Sequence, residues 1–221
     1  MRPLWKRALG LLGGGGLLIL LGGMLLLNVL DPFQTAVMAQ RRWEARLKGR
    51  TDYRIRYTFL PLERMSRHLP RAAVAAEDGR FYEHWGIDWE ALWEAYERNV
   101  RRGRIVRGGS TITQQLVKNL YLCTHRSYLR KALELILAPL LELCLSKERI
   151  LELYLNIVET GEGLFGMEEA ARRYYGISAA RLSREQAARL VAILPAPHRR
   201  HPHRMHQLSA LILRRMAQHG W

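Results

Sequence analysis

A run of small hydrogen-bonding residues, GGSTITQQLVKN at positions 108–119, is the first stretch of the sequence whose residue types could support chemistry. Thr111 followed by Gln114 fits the S/T-x-x-E/Q pattern of a helix capping box, and Ser110 is an equally good residue for the cap. The pattern therefore predicts a helix that begins here. Helix capping alone is the simpler interpretation of these hydroxyl and amide groups.

The same helix start has the chemistry of an anion site. The first backbone N–H groups of a helix have no partner within it, and the helix dipole places positive charge at this end. Gly108 and Gly109 lack side chains and would let a ligand approach the backbone closely. Lys118 follows one to two turns later, on the side that it shares with Gln115, and Arg126 adds a second cation after the helix. These features predict that a phosphate-like group binds here.

A second cluster, AAEDGRFYEHWGID at positions 75–88, contains a candidate general base. Glu77 follows a run of alanine and valine, so its carboxylate is expected to lie against an apolar surface, where desolvation raises a carboxyl pKa. The alternative is that Glu77 and Asp78 end a helix and bind solvent or Arg80. His84 could be a base, a ligand, or a ring that is hydrogen-bonded in a turn.

A third cluster is the sequence RKALE, which begins at Arg130. Arg130 and Glu134 form an i, i+4 pair, and Lys131 with Glu142 extends a polar stripe along an otherwise leucine-rich helix. A salt-bridged helix face is the ordinary interpretation of such a stripe. In the alternative interpretation the stripe faces a cleft, and Glu134 is a second functional carboxylate.

The elements that must position these residues are mainly helices. Apolar residues recur at helical spacing from position 62 onward, and Ile112, Leu116 and Leu120 predict a buried face opposite the polar one. Residues 53–59 (YRIRYTF) alternate as a strand does, and no other stretch is a convincing strand. The sequence therefore predicts a mainly α protein with a single helical domain.

A membrane anchor is predicted ahead of that domain. Residues 8–30 contain no charged residue, and at about 1.5 Å per residue such a helix crosses a bilayer core of roughly 30 Å. Basic residues precede the run, which places the N-terminus in the cytoplasm. A signal peptide cleaved after Ala39 is the alternative. The predicted organisation is a cytoplasmic segment 1–7, an anchor 8–30, a linker 31–50 and a catalytic domain 51–221.

The formal net charge of +15 would suit a nucleic-acid-binding protein, but an exported domain meets little nucleic acid. Anionic lipid headgroups and phosphorylated substrates at the membrane surface are the expected partners. Trp85, Trp89 and Trp93 recur at i, i+4 and i+8, which suits either a lobe at the membrane interface or a buried core.

Neither a metal site nor a disulfide is predicted. The two cysteines do not make a disulfide framework, and Cys144 is expected to be a buried thiol not bridged to Cys123. The histidines near the C-terminus have no spacing that is typical of metal ligands. With the arginines between them they are interpreted as a basic patch that faces the membrane: His198, His201, His203 and His206.

Together these residues resemble the glycosyltransferase family 51 peptidoglycan polymerases, and in particular the monofunctional biosynthetic transglycosylases. EDGRFYEHWGID is similar to the family's ED-x-x-F-x-x-H-x-G motif, GGSTITQQLVKN to its most diagnostic motif, and RKALE to its third. SKERILELYLNIVETGEGLFGMEEAARRYYG is similar to the fourth and fifth. The sequence after LPAP leaves no room for a penicillin-binding transpeptidase domain, which indicates the monofunctional branch.

The resemblance implies a lysozyme-like, bilobed helical domain with a small membrane-proximal lobe, preceded by one N-terminal transmembrane helix. It implies lipid II as substrate and a glycan strand growing on undecaprenyl pyrophosphate as product. The expected location is the inner (cytoplasmic) membrane, with a single span, a cytoplasmic N-terminus and a periplasmic catalytic domain. The implied partners are lipid II, the glycan strand and the bilayer, with cell-wall synthases or division proteins as candidate protein partners and no nucleic acid.

The resemblance also implies roles for individual residues. Glu77 matches the family's general base and Glu134 its second carboxylate, while Lys118 and Arg126 match ligands of the pyrophosphate. The other substrate-binding positions that it implies are Asp78, Phe81, His84, Ser110, Thr111, Gln114, Gln115, Asn119, Arg130 and Lys131.

The chemistry of a sugar pyrophosphate agrees with these roles. The pyrophosphate departs as an anion, so the site needs cations and backbone donors where that charge develops. One base, Glu77, then takes the proton from the acceptor 4-hydroxyl, and inversion at an α-linked donor gives a β-linkage in one displacement. No cofactor is required, although the pyrophosphate leaves room for a divalent cation.

Two other functions fit parts of the sequence. A lytic enzyme of the same lysozyme-like shape would cleave finished glycan with Glu77 and would have little need for Lys118 or Arg126. A non-catalytic, membrane-anchored protein that binds anionic lipid or glycan would be indifferent to the substitution Glu77→Gln. Several long motifs in the family's order favour the polymerase.

Overall fold

Helices make up most of the regular structure in the computed structural model, which describes residues 15–16, 18–103 and 108–221. Residues 18–26 are helical and precede the first labelled helix. The labelled helices are α1 Ala36–Leu47, α2 His68–Glu77, α3 Trp89–Arg101, α4 Ile112–Tyr121, α5 Tyr128–Cys144, α6 Lys147–Ile157, α7 Met167–Tyr175, α8 Arg184–Ile193 and α9 His206–Gln218. The prediction of a mainly helical protein is confirmed.

A small sheet lies beside the helices, with strands β1 Arg56–Tyr57, β2 Glu159–Gly161 and β3 Leu164–Phe165 in the order β1-β3-β2. β1 pairs in parallel with β3, and β2 pairs antiparallel with β3. The predicted alternation over residues 53–59 is confirmed, because the odd positions are half-buried and the even ones exposed. Only two of these residues form a ladder, since β3 itself is two residues long. Strands as short as β2 and β3 have no detectable sequence pattern.

The packing of the core depends on small side chains where helices meet. α8 contacts both α2 and α9, and its buried face is rich in alanine and branched aliphatic residues. The buried face of α2 has the same character, which allows the two helix backbones to approach closely. These contacting faces include Ala72, Ala73, Ala75, Ala187, Ala188, Leu190 and Val191.

The helix that carries the polar run, α4, belongs to the same hydrophobic core. It contacts α5 and α6 extensively and also touches α1. Ile112, Leu116 and Val117 are fully buried, as the apolar spacing predicts. Since α2 ends at Glu77 and is followed by residues that contact α4, the first two sequence clusters meet at this junction.

The predicted membrane span, residues 8–30, falls partly on residues 1–14 and 17, which lie outside the described part of the chain. Within the described residues, no helix combines the length and the apolar character needed to cross a bilayer. The described end of this segment contacts the domain, because Met24 is fully buried and the Asn28 amide donates to the carbonyl oxygen of Cys144 at 2.9 Å.

Cys123 and Cys144 are both free thiols in the structure. Both are half-buried, so Cys144 is more accessible than its apolar neighbours in the sequence had indicated.

Candidate active site

Glu77 is the last residue of α2. Part of its side chain reaches solvent, but the carboxylate lies deep within the protein, and this desolvation raises its pKa. A hydrogen bond from Gln115 and the nearby charges of Lys118 and Arg200 offset the increase in part. A carboxylate with a raised pKa is suited to accept a proton near neutral pH.

The carboxylate of Glu77 lies at the edge of a narrow cleft. A cavity of about 60 Å³ is lined by Glu77, by Ser110 at the start of the polar run and by Asp88 and Glu94 from the opposite wall. The first and second sequence clusters are therefore brought together, as the resemblance implies. A hydroxyl group of a substrate could reach Glu77 from this side.

Gln115 holds the Glu77 carboxylate in place. Its Nε2 donates to Glu77 Oε2 at 2.9 Å, and its Oε1 accepts from the Tyr154 hydroxyl at 3.2 Å. Tyr154 is fully buried on α6, and burial with the nearby carboxylates keeps its pKa well above the ordinary tyrosine value. The hydroxyl therefore stays protonated and fixes the orientation of the Gln115 amide. Sequence reasoning missed Tyr154, because an apolar helical position predicts only packing.

The substitution Tyr154→Phe is expected to lower kcat about fivefold, because the Gln115 amide loses the hydrogen bond that orients it toward Glu77. The acid limb of the pH–rate profile should move to higher pH, since the charged form of Glu77 is held less well. Steady-state kinetics over a pH series measure both effects.

Tyr175→Phe is the matched control. The Tyr175 hydroxyl is buried and, within the residues that the structure describes, has no hydrogen-bond partner. An equal fall in kcat for both variants, with no shift of the acid limb, would contradict the positioning role of Tyr154.

Lys118 lies one helical turn beyond Gln115 and supplies the positive charge of the site. Among the residues that the structure describes, its ammonium group has no hydrogen-bond or ion-pair partner. Burial and the neighbouring Arg130 lower its pKa, while Glu159 and Glu77 act in the opposite direction. A half-buried cation without a direct partner is a site for an anionic ligand.

The RKALE cluster forms a buried ion-pair network beside the start of α4. Glu134 is only 3% exposed and pairs with both Arg130 and Lys131, the latter at 3.0 Å. Lys131 Nζ also donates to Ser110 Oγ at 2.8 Å and to Gln114 Oε1 at 3.1 Å. Burial, together with Arg130 and Lys118, lowers the pKa of Lys131 to about 8. The predicted Arg130–Glu134 pair is thus confirmed, and Glu134 contacts cations.

The start of α4 differs from the expected open anion site. The capping box is confirmed, with Thr111 as the cap and Gln114 as its partner. The N–H of Ile112, however, donates to Asp78 Oδ2 at 2.9 Å, and the first turn of the helix is buried. The Asp78 carboxylate therefore occupies the position where the helix dipole favours negative charge.

Gly109 also has a structural role at this helix start. A Cβ at this position would lie 2.9 Å from the Cα of Leu92 and 3.1 Å from the Ala91 oxygen. The absence of a side chain thus allows the loop to pack against α3, and Gly108 and Gly109 also line the cavity beside Glu77.

Several residues that the resemblance implies to be substrate-binding lie inside the protein. Phe81 is fully buried, with the Lys147 ammonium 4.5 Å from its ring centroid. His84 Nε2 lies 2.9 Å from an Asp78 carboxylate oxygen, so both of these side chains hold the junction together. The other members with almost no exposed surface are Thr111, Gln114 and Asn119. Asp78, Phe81, Thr111, Gln114 and Asn119 expose at most 5% of their surface, because the core and the capping box enclose them, whereas His84 is half-buried.

Six other expected residues reach the surface. Ser110, Gln115, Lys118, Arg130 and Lys131 are half-buried along α4 and α5. Arg126 is exposed on the loop between these helices and, within the described ranges, has no hydrogen-bond or ion-pair partner.

An ion pair that sequence reasoning missed lies next to Lys118. Arg41 of α1 donates to both carboxylate oxygens of Glu159, at 2.9 and 2.8 Å, and Glu159 acts electrostatically on Lys118. His198 Nε2 is 3.2 Å from Glu159. No spacing rule joins positions so far apart in the chain, so only the fold reveals this group.

Metal ligands do not cluster in the described part of the chain, where no three histidine, cysteine, aspartate or glutamate side chains are arranged to hold an ion. Two of the four histidines from the C-terminal patch form ring contacts. His201 stacks on His203 at 5.2 Å and meets the edge of Tyr174 at 5.0 Å.

The helical domain thus places a desolvated carboxylate, Glu77, near a half-buried cation, Lys118. The family model described as Transglycosylase matches residues 45–217. The chain belongs to this family and is a glycosyltransferase.

Three proteins called biosynthetic peptidoglycan transglycosylase show the extent of the similarity. One from Janthinobacterium sp. is 48% identical over 187 residues, which cover 83% of this chain and 78% of that protein. One from Azoarcus sp. is 51% identical over 169 residues, with coverages of 76% and 73%. One from Thiobacillus denitrificans is 43% identical over 224 aligned residues, with coverages of 97% and 96%.

Proposed function

We propose that the protein is a peptidoglycan glycosyltransferase that polymerises lipid II into β-1,4-linked glycan strands and releases undecaprenyl pyrophosphate. The observation that supports this most is the pairing of Glu77, whose pKa is raised and whose carboxylate Gln115 holds, with the unpartnered Lys118 one turn further along α4. Membership of the transglycosylase family supports the same conclusion.

In this proposal Glu77 is the general base. It accepts the proton of the acceptor 4-hydroxyl while that oxygen bonds to the anomeric carbon of the donor. The bond between this carbon and the phosphate oxygen breaks at the same time, and its electron pair leaves with the pyrophosphate. One displacement of this kind inverts an α-linked donor to a β-linked product.

The departing pyrophosphate binds at Lys118, with the exposed Arg126 as a second cation. Arg130 and Lys131 are coupled to Lys118: besides burial, the charge of Arg130 lowers the pKa of Lys118, and the charges of Arg130 and Lys118 lower the pKa of Lys131. Glu134 holds these two cations in position through its ion pairs. No cofactor is required, and an assay with and without a divalent cation tests that point.

The position at the membrane is part of the proposal. Trp85, Trp89 and Trp93 are 69%, 66% and 62% exposed, so they do not form a core. Exposed tryptophans at helical spacing suit the interface of a bilayer, where lipid II resides. We assign the domain to the outer side of the inner membrane, with a lysozyme-like bilobed arrangement, an anchor at residues 8–30, and lipid II and the glycan strand as partners.

The direct test is to incubate the purified protein with labelled lipid II. Polymer that forms, and that moenomycin suppresses, is the expected result. Degradation of finished cell wall without polymer would indicate a lytic enzyme instead. Binding of lipid II without any product would indicate a non-catalytic protein.

The pH dependence of kcat/KM is expected to be bell-shaped. Glu77 must be ionised to accept a proton, so activity should fall as pH falls through its raised pKa. Lys131 must be protonated to hold Ser110, Gln114 and Glu134, so activity should fall again as pH rises through about 8. Lipid II polymerisation over a pH series measures both limbs.

Lys131→Arg tests the assignment of the alkaline limb, because a guanidinium group stays charged throughout this range. The variant should lose the alkaline limb and keep the acid limb. An alkaline limb that is unchanged in Lys131→Arg would contradict the assignment.

A further inference from the structure

A second, larger cavity lies outside the Glu77 cleft. It has a volume of about 500 Å³ and is formed by β1 with the segment before it, the turn between β2 and β3, and α7. Four arginines line it, against two carboxylates: Arg50, Arg54, Arg56, Arg173, Asp52 and Glu162. None of these residues has a role in the proposed chemistry.

Three of the four arginines are free to bind a ligand. Arg50 pairs with Glu162 and lies over the ring of Tyr53. In the part of the chain that the structure describes, the guanidinium groups of Arg54, Arg56 and Arg173 have no hydrogen-bond or ion-pair partner. Guanidinium groups gathered in one cavity repel each other, and an anionic ligand would relieve that repulsion.

The cavity wall is held rigidly. Arg54 and Arg56 are two residues apart in an extended segment, so their side chains leave the same face. The N–H of Arg56 donates to the Gly163 oxygen at 2.8 Å, and β1 pairs with β3. Tyr53 and Tyr174 add half-buried aromatic surface to the wall. The backbone that carries Arg54 and Arg56 therefore needs little reordering on binding.

The cavity continues toward the proposed catalytic site. A neighbouring cavity of about 250 Å³ shares Arg50, Tyr53 and Glu162 with it and extends to Arg41. Arg41 in turn pairs with Glu159, which acts electrostatically on Lys118. A strand that leaves the catalytic site along this path would bring its branches to the arginines.

We propose that Arg54, Arg56 and Arg173 bind the carboxylate groups of the peptide branches that peptidoglycan strands carry. This inference rests on the proposed function. Peptides end in planar carboxylates, which guanidinium groups bind with two parallel hydrogen bonds. A lipid surface is the less suitable ligand, because the exposed tryptophans lie on and before α3 and not at this cavity.

The test is a binding measurement with the full-length protein and three probes. The probes are glycan strands with their peptide branches, the same strands after enzymatic removal of the peptides, and phosphatidylglycerol vesicles. The variant Arg54→Gln/Arg56→Gln/Arg173→Gln should bind the peptide-bearing strands about tenfold more weakly than wild type, and the other two probes equally well.

The matched control is Arg64→Gln/Arg67→Gln/Arg181→Gln, which removes three exposed charges elsewhere and should bind all probes as wild type does. The lysine variant Arg54→Lys/Arg56→Lys/Arg173→Lys keeps the charge but loses the two parallel hydrogen bonds, so it should bind the peptide-bearing strands more weakly than wild type and more tightly than the glutamine variant. It also allows the test to proceed if the glutamine variant does not fold.

Three results would overturn the inference: an equal loss for strands with and without peptides, a loss confined to vesicles, or no loss at all. The binding measurements involve no turnover. The lipid II assay therefore tests the proposed function separately, because an absence of polymer in that assay would contradict the proposed function and not the binding result.

Discussion

Replacing Glu77 by glutamine is expected to reduce the rate of lipid II polymerisation about a thousandfold, with little change in substrate affinity. The amide is nearly the same size as the carboxylate and can still contact Gln115, but it cannot accept the proton of the acceptor hydroxyl. Single-turnover kinetics with labelled lipid II measure the chemical step, and a binding assay with the same substrate measures affinity. Near-normal turnover would rule out Glu77 as the base.

The same substitution is expected to stabilise the fold at neutral pH. The folded-state pKa of Glu77 is raised above its unfolded value, so the folded protein binds the proton more tightly than the unfolded chain does. The stability that this protonation contributes is present below the unfolded pKa and is lost as pH rises through the folded pKa. A glutamine side chain is neutral at every pH, so the variant does not lose stability as pH rises. The Tm of Glu77→Gln should therefore exceed that of wild type at neutral pH, and the difference should shrink in acid.

Glu63→Gln is the control for both measurements, since Glu63 is exposed on a short 3-10 helix. It should change neither turnover nor Tm. A Glu77→Gln protein with a lowered Tm would show that lost activity reflects damage to the fold.

Replacing Lys118 by alanine is expected to lower kcat about a hundredfold, because the pyrophosphate loses the cation that stabilises its developing charge. The ammonium group has no direct partner in the described part of the chain, so its removal breaks no ion pair. The acid limb of the pH–rate profile should also move to higher pH, since the Lys118 charge lowers the pKa of Glu77.

Arg181→Ala, which removes an exposed charge from another face, is the comparison for Lys118→Ala. Equal and small losses in the two variants would mean that the polar side of α4 only caps and packs. A large loss for Lys118→Ala without a shift of the acid limb would mean that Lys118 and Glu77 do not act in one site.

Local features of the site could be predicted from the sequence, because they depend on residues three or four apart. The capping box of Thr111 and Gln114 and the Arg130–Glu134 pair are of this kind. The raised pKa of Glu77 could be predicted from the apolar run before it. The helical class followed from the periodicity of the whole chain.

Features that join distant positions could not be predicted. Tyr154 contacts Gln115 across 39 positions, and Arg41 pairs with Glu159 across 118. The sequence predicts an open anion site at the start of α4, whereas the Asp78 carboxylate accepts the N–H of Ile112 there. Nothing near Ile112 in the sequence indicates this contact. Only the packing of elements that are distant in the chain brings these groups together.

The hydrogen bond from the Ile112 N–H to Asp78 fixes the position of Glu77 relative to α4. Glu77 precedes Asp78 directly, so the base is attached to the same helix that carries Gln115 and Lys118. Those two residues are separated by three helical steps, or about 4.5 Å along the axis. If the proposed mechanism holds, the distance between the base Glu77 and the cation Lys118 is therefore set by backbone geometry. In that mechanism the growing polymer moves by one added repeat unit between successive additions, while these two catalytic groups stay at a constant separation.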